Sequence, residues 1–374
     1  MQPIPARYYH NEAVFEQERA AIFHTQWQFV GMTHDLERHN DYVCVDVGAY
    51  SVIVQNFNGE LRAFLNVCSH RFSQIRHDAS GNGPLRCPYH GWAYNGEGVP
   101  TGIPSRPYFK DLKSKIPDLG LRRFQVATCG KFTFVRIADA GPTLEQELGP
   151  VAETLVAMSA GLDVRIDRTE WNIEANWKVV VENTLEAYHV GFVHPTTFKP
   201  MGLTGLDFRF DGPHSAYLGH VDDEQNMQVQ KLRANFAQRR FQPDGYFHQF
   251  VFPNFLTSTS HGIVSSVQYH HAVAPGRTRM VSQLFHAAPA EDSRLRPAML
   301  EVLYDSARVF NVTTLQEDQV ICEGVQRGLR QTSRAGLLSD EEERLVAFRD
   351  AYMAALGATP APAAGREIPV PMER

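Results

Sequence analysis

Two cysteines and two histidines confine residues 68–90 to few possible structures. Cys68 and His70 form a Cys-x-His pair. Cys87 and His90 form a Cys-x-x-His pair, with sixteen residues between the two. The intervening text contains DASGNGP, a run of turn formers that no regular element accommodates. Four soft or borderline ligands on two adjacent loops suit a metal centre better than a structural staple.

The order of the ligands bears on which metal. A zinc finger pairs cysteine with cysteine and histidine with histidine along the chain. Here each loop offers one of each, an arrangement that suits a two-iron cluster with cysteines on one iron and histidines on the other. Zinc and unliganded side chains remain the alternatives on spacing alone. The other cysteines, Cys44, Cys129 and Cys322, make an odd total of five in a 374-residue chain. That count indicates no disulfide framework and favours a reducing compartment.

The pattern around the pairs is that of a β-domain. From about 40 to 138, short runs such as YVCVDV, YSVIVQNF and KFTFVRI alternate with polar turns, and Asn58-Gly59 predicts a hairpin. Residues 11–24 read as an amphipathic helix. Residues 143–160 read as helical with a break at Gly149-Pro150, and a further helix is predicted from near Ala175. Strands are predicted between about 246 and 287, and a long helix over 298–330 with Leu300, Leu303, Val309, Val312, Leu315 and Val320 as its apolar positions. The stretch 211–245 reads as irregular, a lid or surface insertion, and the tail beyond residue 356 as extended. The expected fold class is α+β: an all-β domain carrying the cysteine and histidine pairs and a larger domain of antiparallel strands with helices. The predicted division is 1–38, packing with the catalytic domain, then 39–155 and 156–374.

An electron carrier does not need a further 220 residues, and NWKVVVENTLEAYHVGFVHP offers a destination for the electrons. His189 and His194 are five apart, which on an ideal helix separates them by about 140°. Both reach one metal only if the helix breaks or loosens, and Gly191 is the expected site of that break. Two imidazoles and one carboxylate form the facial triad of non-haem Fe(II) oxygenases. LQEDQVICEG supplies Glu317, Asp318 and Glu323 as candidate acids, and spacing does not choose among them. Glu186, three residues before His189, is placed to accept a ring N–H. The remaining histidines are given no metal role, and of His270 and His271, on alternate faces of one strand, at most one is expected to face a cavity.

CSHR with CPYHGW resembles the Rieske iron-sulfur domain, and the chain as a whole resembles the α subunit of Rieske non-haem iron (ring-hydroxylating) oxygenases. The resemblance implies that the all-β part is a [2Fe-2S] domain and the larger part a helix-grip-like catalytic domain built on an antiparallel sheet with helices. It places cluster ligands on Cys68, His70, Cys87 and His90, and iron ligands on His189, His194 and Asp318. It makes Glu186 the acid that bridges an iron histidine to a cluster histidine of a neighbouring subunit. It pairs Glu182 with Asn183 as groups near the electron path, and it makes Trp177 and Lys178 part of a structural NWK signature. Phe72 stands where the family often has glycine.

The implied activity is oxygenation, using O2 and electrons from NAD(P)H delivered by a separate reductase, with or without a ferredoxin. No GxGxxG fingerprint occurs in the chain. The implied assembly is a head-to-tail homotrimer. The expected substrate is a small aromatic or other organic acid, its carboxylate held by Arg or Lys, and the reaction a mono- or dihydroxylation in aromatic catabolism. The alternatives are a quaternary-ammonium monooxygenase or N-demethylase, an iron-sulfur electron-transfer protein, and a zinc-stapled binding protein. Glu186 leans toward the quaternary-ammonium group, although Val190 replaces the cysteine associated with it. Pocket candidates are Phe192, Met201, Phe208, Phe210, Tyr246, Phe250, Phe252 and Phe310. A net charge of −6 and the absence of an 18-residue apolar run argue against nucleic-acid or membrane partners. The N-terminal text has no apolar signal core, so a cytoplasmic location is expected.

Overall fold

The computed structural model describes residues 2–237, 241–334 and 336–357; the predicted extended tail lies outside them. Strands β1 (Gln28–Met32), β2 (Asp41–Val47), β3 (Tyr50–Phe57), β4 (Glu60–Leu65) and β5 (Ser80–Asn82) come first. They are followed by a small pair, β6 (Ala93–Tyr94) and β7 (Pro100–Gly102), and then by β8 (Arg123–Cys129) and β9 (Phe132–Arg136). Apart from β6 and β7 these form one sheet of order β1-β9-β8-β4-β3-β2-β5. Asn58 and Gly59 both take positive φ, +57° and +94°, and close the β3–β4 hairpin as expected of Asn-Gly.

The second sheet is a meander of β10 (Val164–Ile173), β11 (Leu203–Asp211), β12 (His214–Val221), β13 (Tyr246–Val251), β14 (Phe255–Ser260), β15 (Val264–Ala274) and β16 (Arg277–His286). Its order is β10-β16-β15-β14-β13-β12-β11, antiparallel at every pairing. The stretch read as irregular over 211–245 is therefore mostly ordered: it contains β12 and a helix, Asp223–Arg233. Its polar composition hid both, because β12 lies near the sheet edge and the helix packs only one side.

Helix α1 (Glu12–Glu18) opens the chain, capped by the Asn11 side chain. Helices α2 (Leu112–Lys115), α3 (Leu144–Leu148) and α4 (Val151–Ser159) follow, and Gly149-Pro150 separates the last two. Next come α5 (Trp177–Leu185), α6 (Val190–Val193), α7 (Asp223–Arg233), the 33-residue α8 (Pro297–Leu329) and α9 (Glu343–Ala355). Val309 and Val320, read among the apolar positions of the long helix, are 66 % exposed. The buried face carries Asn311, Thr314 and Cys322, at helical spacing with Asp318 between them. Asn311, Thr314, Asp318 and Cys322 line a cavity on that side.

The N-terminal segment divides between the two halves. Ile4, Tyr9, Ile22 and Phe23 join the core around Trp177, Phe348 and Tyr352, whereas β1 pairs with β9 in the first sheet. Beneath that segment, Glu18 and Lys178 are fully buried and paired at 2.5 Å; Glu18 also accepts from Trp177 Nε1 (2.9 Å) and the Tyr352 hydroxyl (2.5 Å). The sheets meet through aromatic packing. Phe255 of β14 stacks on Phe29 at 4.5 Å and meets Phe132 and Phe134 edge-on. No described helix is long and apolar enough to cross a membrane.

Candidate active site

The two loops bearing the four candidate cluster ligands have the same backbone. In one, Phe72 N–H donates to Cys68 O (3.0 Å) and Cys68 N–H to Ser73 O (2.8 Å). In the other, Gly91 N–H donates to Cys87 O (3.0 Å) and Cys87 N–H to Trp92 O (2.8 Å). The closing residue is left-handed in both, Phe72 at φ +59° and Gly91 at +72°. Glycine takes this conformation freely, whereas phenylalanine is strained in it. Phe72 leaves its ring 79 % exposed, so its side chain gains little from packing.

These loops bury both sulfurs and bring the imidazoles together. Cys68 and Cys87 are 1 % exposed, and the rings of His70 and His90 are 4.6 Å apart. Trp92 stacks flat on His70 (4.9 Å, 2°), and the Tyr94 hydroxyl lies 3.1 Å from Cys68 Sγ. Burial pushes the Cys68 thiol up, while the contact with Tyr94 pulls it down. His70 Nδ1 is buried with no protein partner, as a group reserved for a metal would be. A single tetrahedral ion needs all its ligand atoms close together. Among the described residues, only His189, His194 and Asp318 offer three or more such atoms within 4.8 Å of one another. The cysteine and histidine pairs instead suit the two ends of a two-iron cluster.

The second constellation forms where α5 ends. Glu186 is extended (φ −122°, ψ 164°), so the helix stops three residues before His189. The short α6 then fills the gap between the histidines, and Gly191 lies within it rather than breaking it. The end of α5 at Glu186 lies before both histidines; the departure from helical geometry that bears on their relative direction is at His194 (φ −113°, ψ 55°). The three prospective ligand atoms form a compact triangle: His189 Nε2 to His194 Nε2 is 3.2 Å, His194 Nε2 to Asp318 Oδ1 is 3.1 Å, and His189 Nε2 to Asp318 Oδ1 is 3.7 Å. A ferrous ion at ordinary bond lengths of about 2.1 Å can sit at its centre with positions left open. Asp318 Oδ1 is buried without a hydrogen-bond donor, which suits a ligand atom.

Both imidazoles are oriented from behind. Glu186 Oε1 contacts His189 Nδ1, and Glu186 Oε2 accepts from the backbone N–H of Tyr188 and of His189. Glu317 Oε2 lies 2.8 Å from His194 Nδ1 and accepts from Thr197 Oγ1 at 2.9 Å. Each carboxylate holds a proton on Nδ1 and turns Nε2 toward the centre. Burial pushes His194 down, but Asp318 and then Glu317 outweigh it and raise its pKa. Glu317 and Thr197 are the residues that sequence reasoning missed as supports: Glu317 entered only as a rival ligand. Glu323 bonds Gln319 instead, at 2.8 Å. Glu182 is bound by the Tyr9 hydroxyl at 2.7 Å, and burial pushes it up to about 7.

A cavity of about 440 Å³ adjoins the triangle. Of the eight candidate lining residues, Met201, Tyr246 and Phe310 line it. Phe250 and Phe252 belong to the core, Phe192 is exposed, and Phe208 and Phe210 lie along edge strand β11. Phe198, whose ring is 5.6 Å from His194, was not anticipated. It meets Tyr246 at 5.3 Å and Phe310 at 5.2 Å, and Tyr217 stands beyond Tyr246 at 6.0 Å. Neither His270 nor His271 lines this cavity, although His248 and His286 do. The expected Lys or Arg is not among its described lining residues. Arg344 lies behind the wall, spent on Ser215, the Leu185 carbonyl and His248, and burial pulls it down to about 10.

Comparison with known proteins follows the same division. Residues 26–115 match the Rieske [2Fe-2S] domain, and residues 161–358 match the ring hydroxylating alpha subunit (catalytic domain). The chain is 26 % identical over 339 residues to the chloroplastic choline monooxygenase of Spinacia oleracea, covering 87 % of this chain and 71 % of that protein. It superposes on the quaternary ammonium Rieske monooxygenase CntA in complex with L-carnitine with a TM-score of 0.77 at 21 % identity, over 95 % of each chain. It superposes on the naphthalene 1,2-dioxygenase from Rhodococcus sp. bound to indole with a TM-score of 0.78 at 20 % identity, covering 95 % of this chain and 94 % of that one. At these identities the two superpositions establish the fold alone.

Proposed function

Because the chain belongs to the Rieske-type ring-hydroxylating oxygenase α-subunit family, we propose that it is the terminal oxygenase that hydroxylates a small quaternary ammonium compound at a carbon near the nitrogen. The observation that carries this reading is the lining beside His194. Phe198, Tyr246 and Phe310 offer ring faces or edges, and no Lys or Arg occurs among the described lining residues. Aromatic faces attract a cation that cannot donate a hydrogen bond, worth about 2 kcal/mol when desolvated. Tyr217 is already engaged, with Arg344 at 5.1 Å and His248 stacked at 5.3 Å, so it backs the wall. An aromatic acid would find no Lys or Arg among the described lining residues to pair its carboxylate. The names of the choline- and carnitine-linked relatives point the same way.

Cys68, Cys87, His70 and His90 are the proposed ligands of the cluster; His189, His194 and Asp318 are those of the mononuclear iron. When both are bound, the cluster supplies electrons received from a separate reductase, and the iron supplies open positions for O2 beside the substrate. The protein's part is positional. Glu186 and Glu317 hold the two imidazoles, the rings place the substrate, and the apolar wall limits water. Residues 39–155 and 156–374 are the proposed functional units.

The proposed assembly is a head-to-tail homotrimer. Exposed apolar side chains lie at both ends of the implied electron path, with Phe72 and Tyr89 on the cluster loops and Tyr188 and Phe192 around His189. There Glu186 would serve both its own His189 and a neighbour's cluster. A cytoplasmic setting is also proposed, on the odd count of five cysteines in the sequence.

The test is oxygen uptake with a surrogate reductase and NADH. Choline, glycine betaine and L-carnitine are offered beside benzoate and related aromatic acids. Turnover and aldehyde release with an ammonium compound are expected. Coupled turnover of an aromatic acid alone would overturn the ammonium reading.

A further inference from the structure

A second cavity, of about 360 Å³, lies where three parts of the chain meet. Arg19 and Phe23 come from the turn after α1. Asp46, Val47, Gly48 and Ala49 come from the β2–β3 hairpin. Asn254, His271 and Arg279 come from the second sheet. The register explains why the last two act together: His271 of β15 is directly opposite Arg279 of β16, so both side chains leave the same face of the sheet. This face looks away from the catalytic cavity, whose lining includes none of these residues.

The cavity's polar groups are short of partners. Arg19 Nε, His271 Nε2 and Arg279 Nε are buried with no hydrogen-bond partner in the protein. Three such nitrogens around one cavity is an arrangement that costs stability unless something answers it. Arg19 uses Nη1 on Glu16 (2.5 Å). Arg279 is only loosely matched by Asp46, at 3.5 Å, and the Asp46 side chain is 62 % exposed. A ligand can therefore displace that contact without stranding Asp46 from water. Burial pushes His271 down to about 3, so the positive charge at the site resides on the two guanidiniums. Their planar forks match the paired oxygens of a carboxylate or phosphate. The volume exceeds what a few ordered waters fill, at about 30 Å³ each, and falls in the range of small-ligand sites at domain junctions.

We propose that this junction is a binding site for a small oxyanion, carboxylate or phosphate in class, held between Arg19 and Arg279. Such a ligand ties the N-terminal segment and the first sheet to the second sheet, remote from the oxygenation site.

The test is thermal unfolding of the holoenzyme in a cationic buffer. Inorganic phosphate, succinate and ionic-strength-matched sodium chloride are titrated separately. The expected result is a saturable rise in Tm of a few degrees with phosphate or succinate and not with chloride. A response to phosphate alone or to succinate alone identifies the source of the oxyanion. Arg279→Gln and Arg19→Gln should each weaken that response at least tenfold. Arg19 is on the N-terminal turn rather than in a central strand, so its variant serves if Arg279→Gln fails to fold. An equal shift with chloride, no saturable shift with either anion, or a wild-type response in a folded variant would overturn the proposal.

Discussion

Phe72 and Gly91 are structural equivalents. Each donates its N–H, at 3.0 Å, to the carbonyl of the cysteine four residues before it, and each does so with positive φ. One position has the residue that conformation favours; the other has a large side chain held in solvent.

Exchanging the residue at each position should therefore act in opposite directions. A left-handed non-glycine residue costs about 1–2 kcal/mol, partly offset by the extra unfolded-state freedom that glycine brings. Phe72→Gly is expected to stabilise the holoprotein by about 0.5–1 kcal/mol. Gly91→Ala should destabilise it by about 1–2 kcal/mol; its new Cβ would also stand 3.3 Å from Pro104. Urea unfolding followed by the cluster's visible absorbance measures both. A loss of stability in Phe72→Gly would mean that the exposed ring has an undetected partner.

Asp318→Ala should remove the mononuclear iron and abolish oxygenation while leaving the cluster's visible and EPR spectra intact. Asp318 Oδ1 completes the triangle with the two Nε2 atoms at 3.1 and 3.7 Å, and no cluster residue depends on it. Iron analysis beside activity decides the point. Surviving turnover would remove Asp318 from the ligand set.

Glu317 is expected to matter through His194. Glu317→Ala frees His194 Nδ1 and the Thr197 hydroxyl together, and iron affinity should fall about 10–100-fold. Glu317→Gln keeps an acceptor and should recover part of that loss. Equilibrium iron binding by the cluster-loaded, iron-depleted protein gives the readout. Equal affinity in both variants and the wild type would reduce Glu317 to a surface acid.

The pair Glu18–Lys178 is entirely buried. Lys178→Met leaves the carboxylate uncompensated and should cost about 3–5 kcal/mol. Adding Glu18→Gln to that variant should recover much of the loss, since the amide can still accept from Trp177 and Tyr352. A double-mutant cycle in urea measures the coupling, and additivity would show that Lys178 acts by packing alone.

Glu147 gives the protein a pH dependence of the less common sign. Burial pushes its carboxyl up to about 7, against the opposing pull of the Trp27 N–H and Arg136. The folded protein thus holds a proton that the unfolded chain releases near pH 4.5. Its contribution is complete below pH 4.5 and is lost as the pH rises toward 7. Glu147→Gln should flatten the decline of stability between pH 5 and 7 and be the more stable form at pH 8. Parallel curves for the two proteins would show that Glu147 titrates normally.

What could be read in advance was chemistry held close in sequence. The cysteine and histidine pairs are legible because a cluster demands ligand types at short spacing, and Asn58-Gly59 because a tight turn demands positive φ. The break expected at Gly191 falls instead at His194, since a glycine's permissiveness is visible in text and a helix end set by tertiary packing is not. Val309 and Val320 misled for a related reason: apolar residues alone did not mark the inward face of α8, which also carries Asn311, Thr314 and Asp318. Phe198 escaped notice because its contacts with Tyr246 and Phe310 join residues far apart in the chain.

The burial of the N-terminal segment has a consequence for synthesis. Tyr352 donates to Glu18 across 334 residues of chain, and Lys178 is translated 160 residues after its partner. While the ribosome is still making α9, the segment around α1 has no complete seat. The first sheet can begin to assemble as it emerges, but Ile4, Tyr9 and Phe23 must wait. Closure of the second core therefore awaits α9, and a chain ending before α9 would leave Ile4, Tyr9 and Phe23 without Phe348 and Tyr352 to pack on.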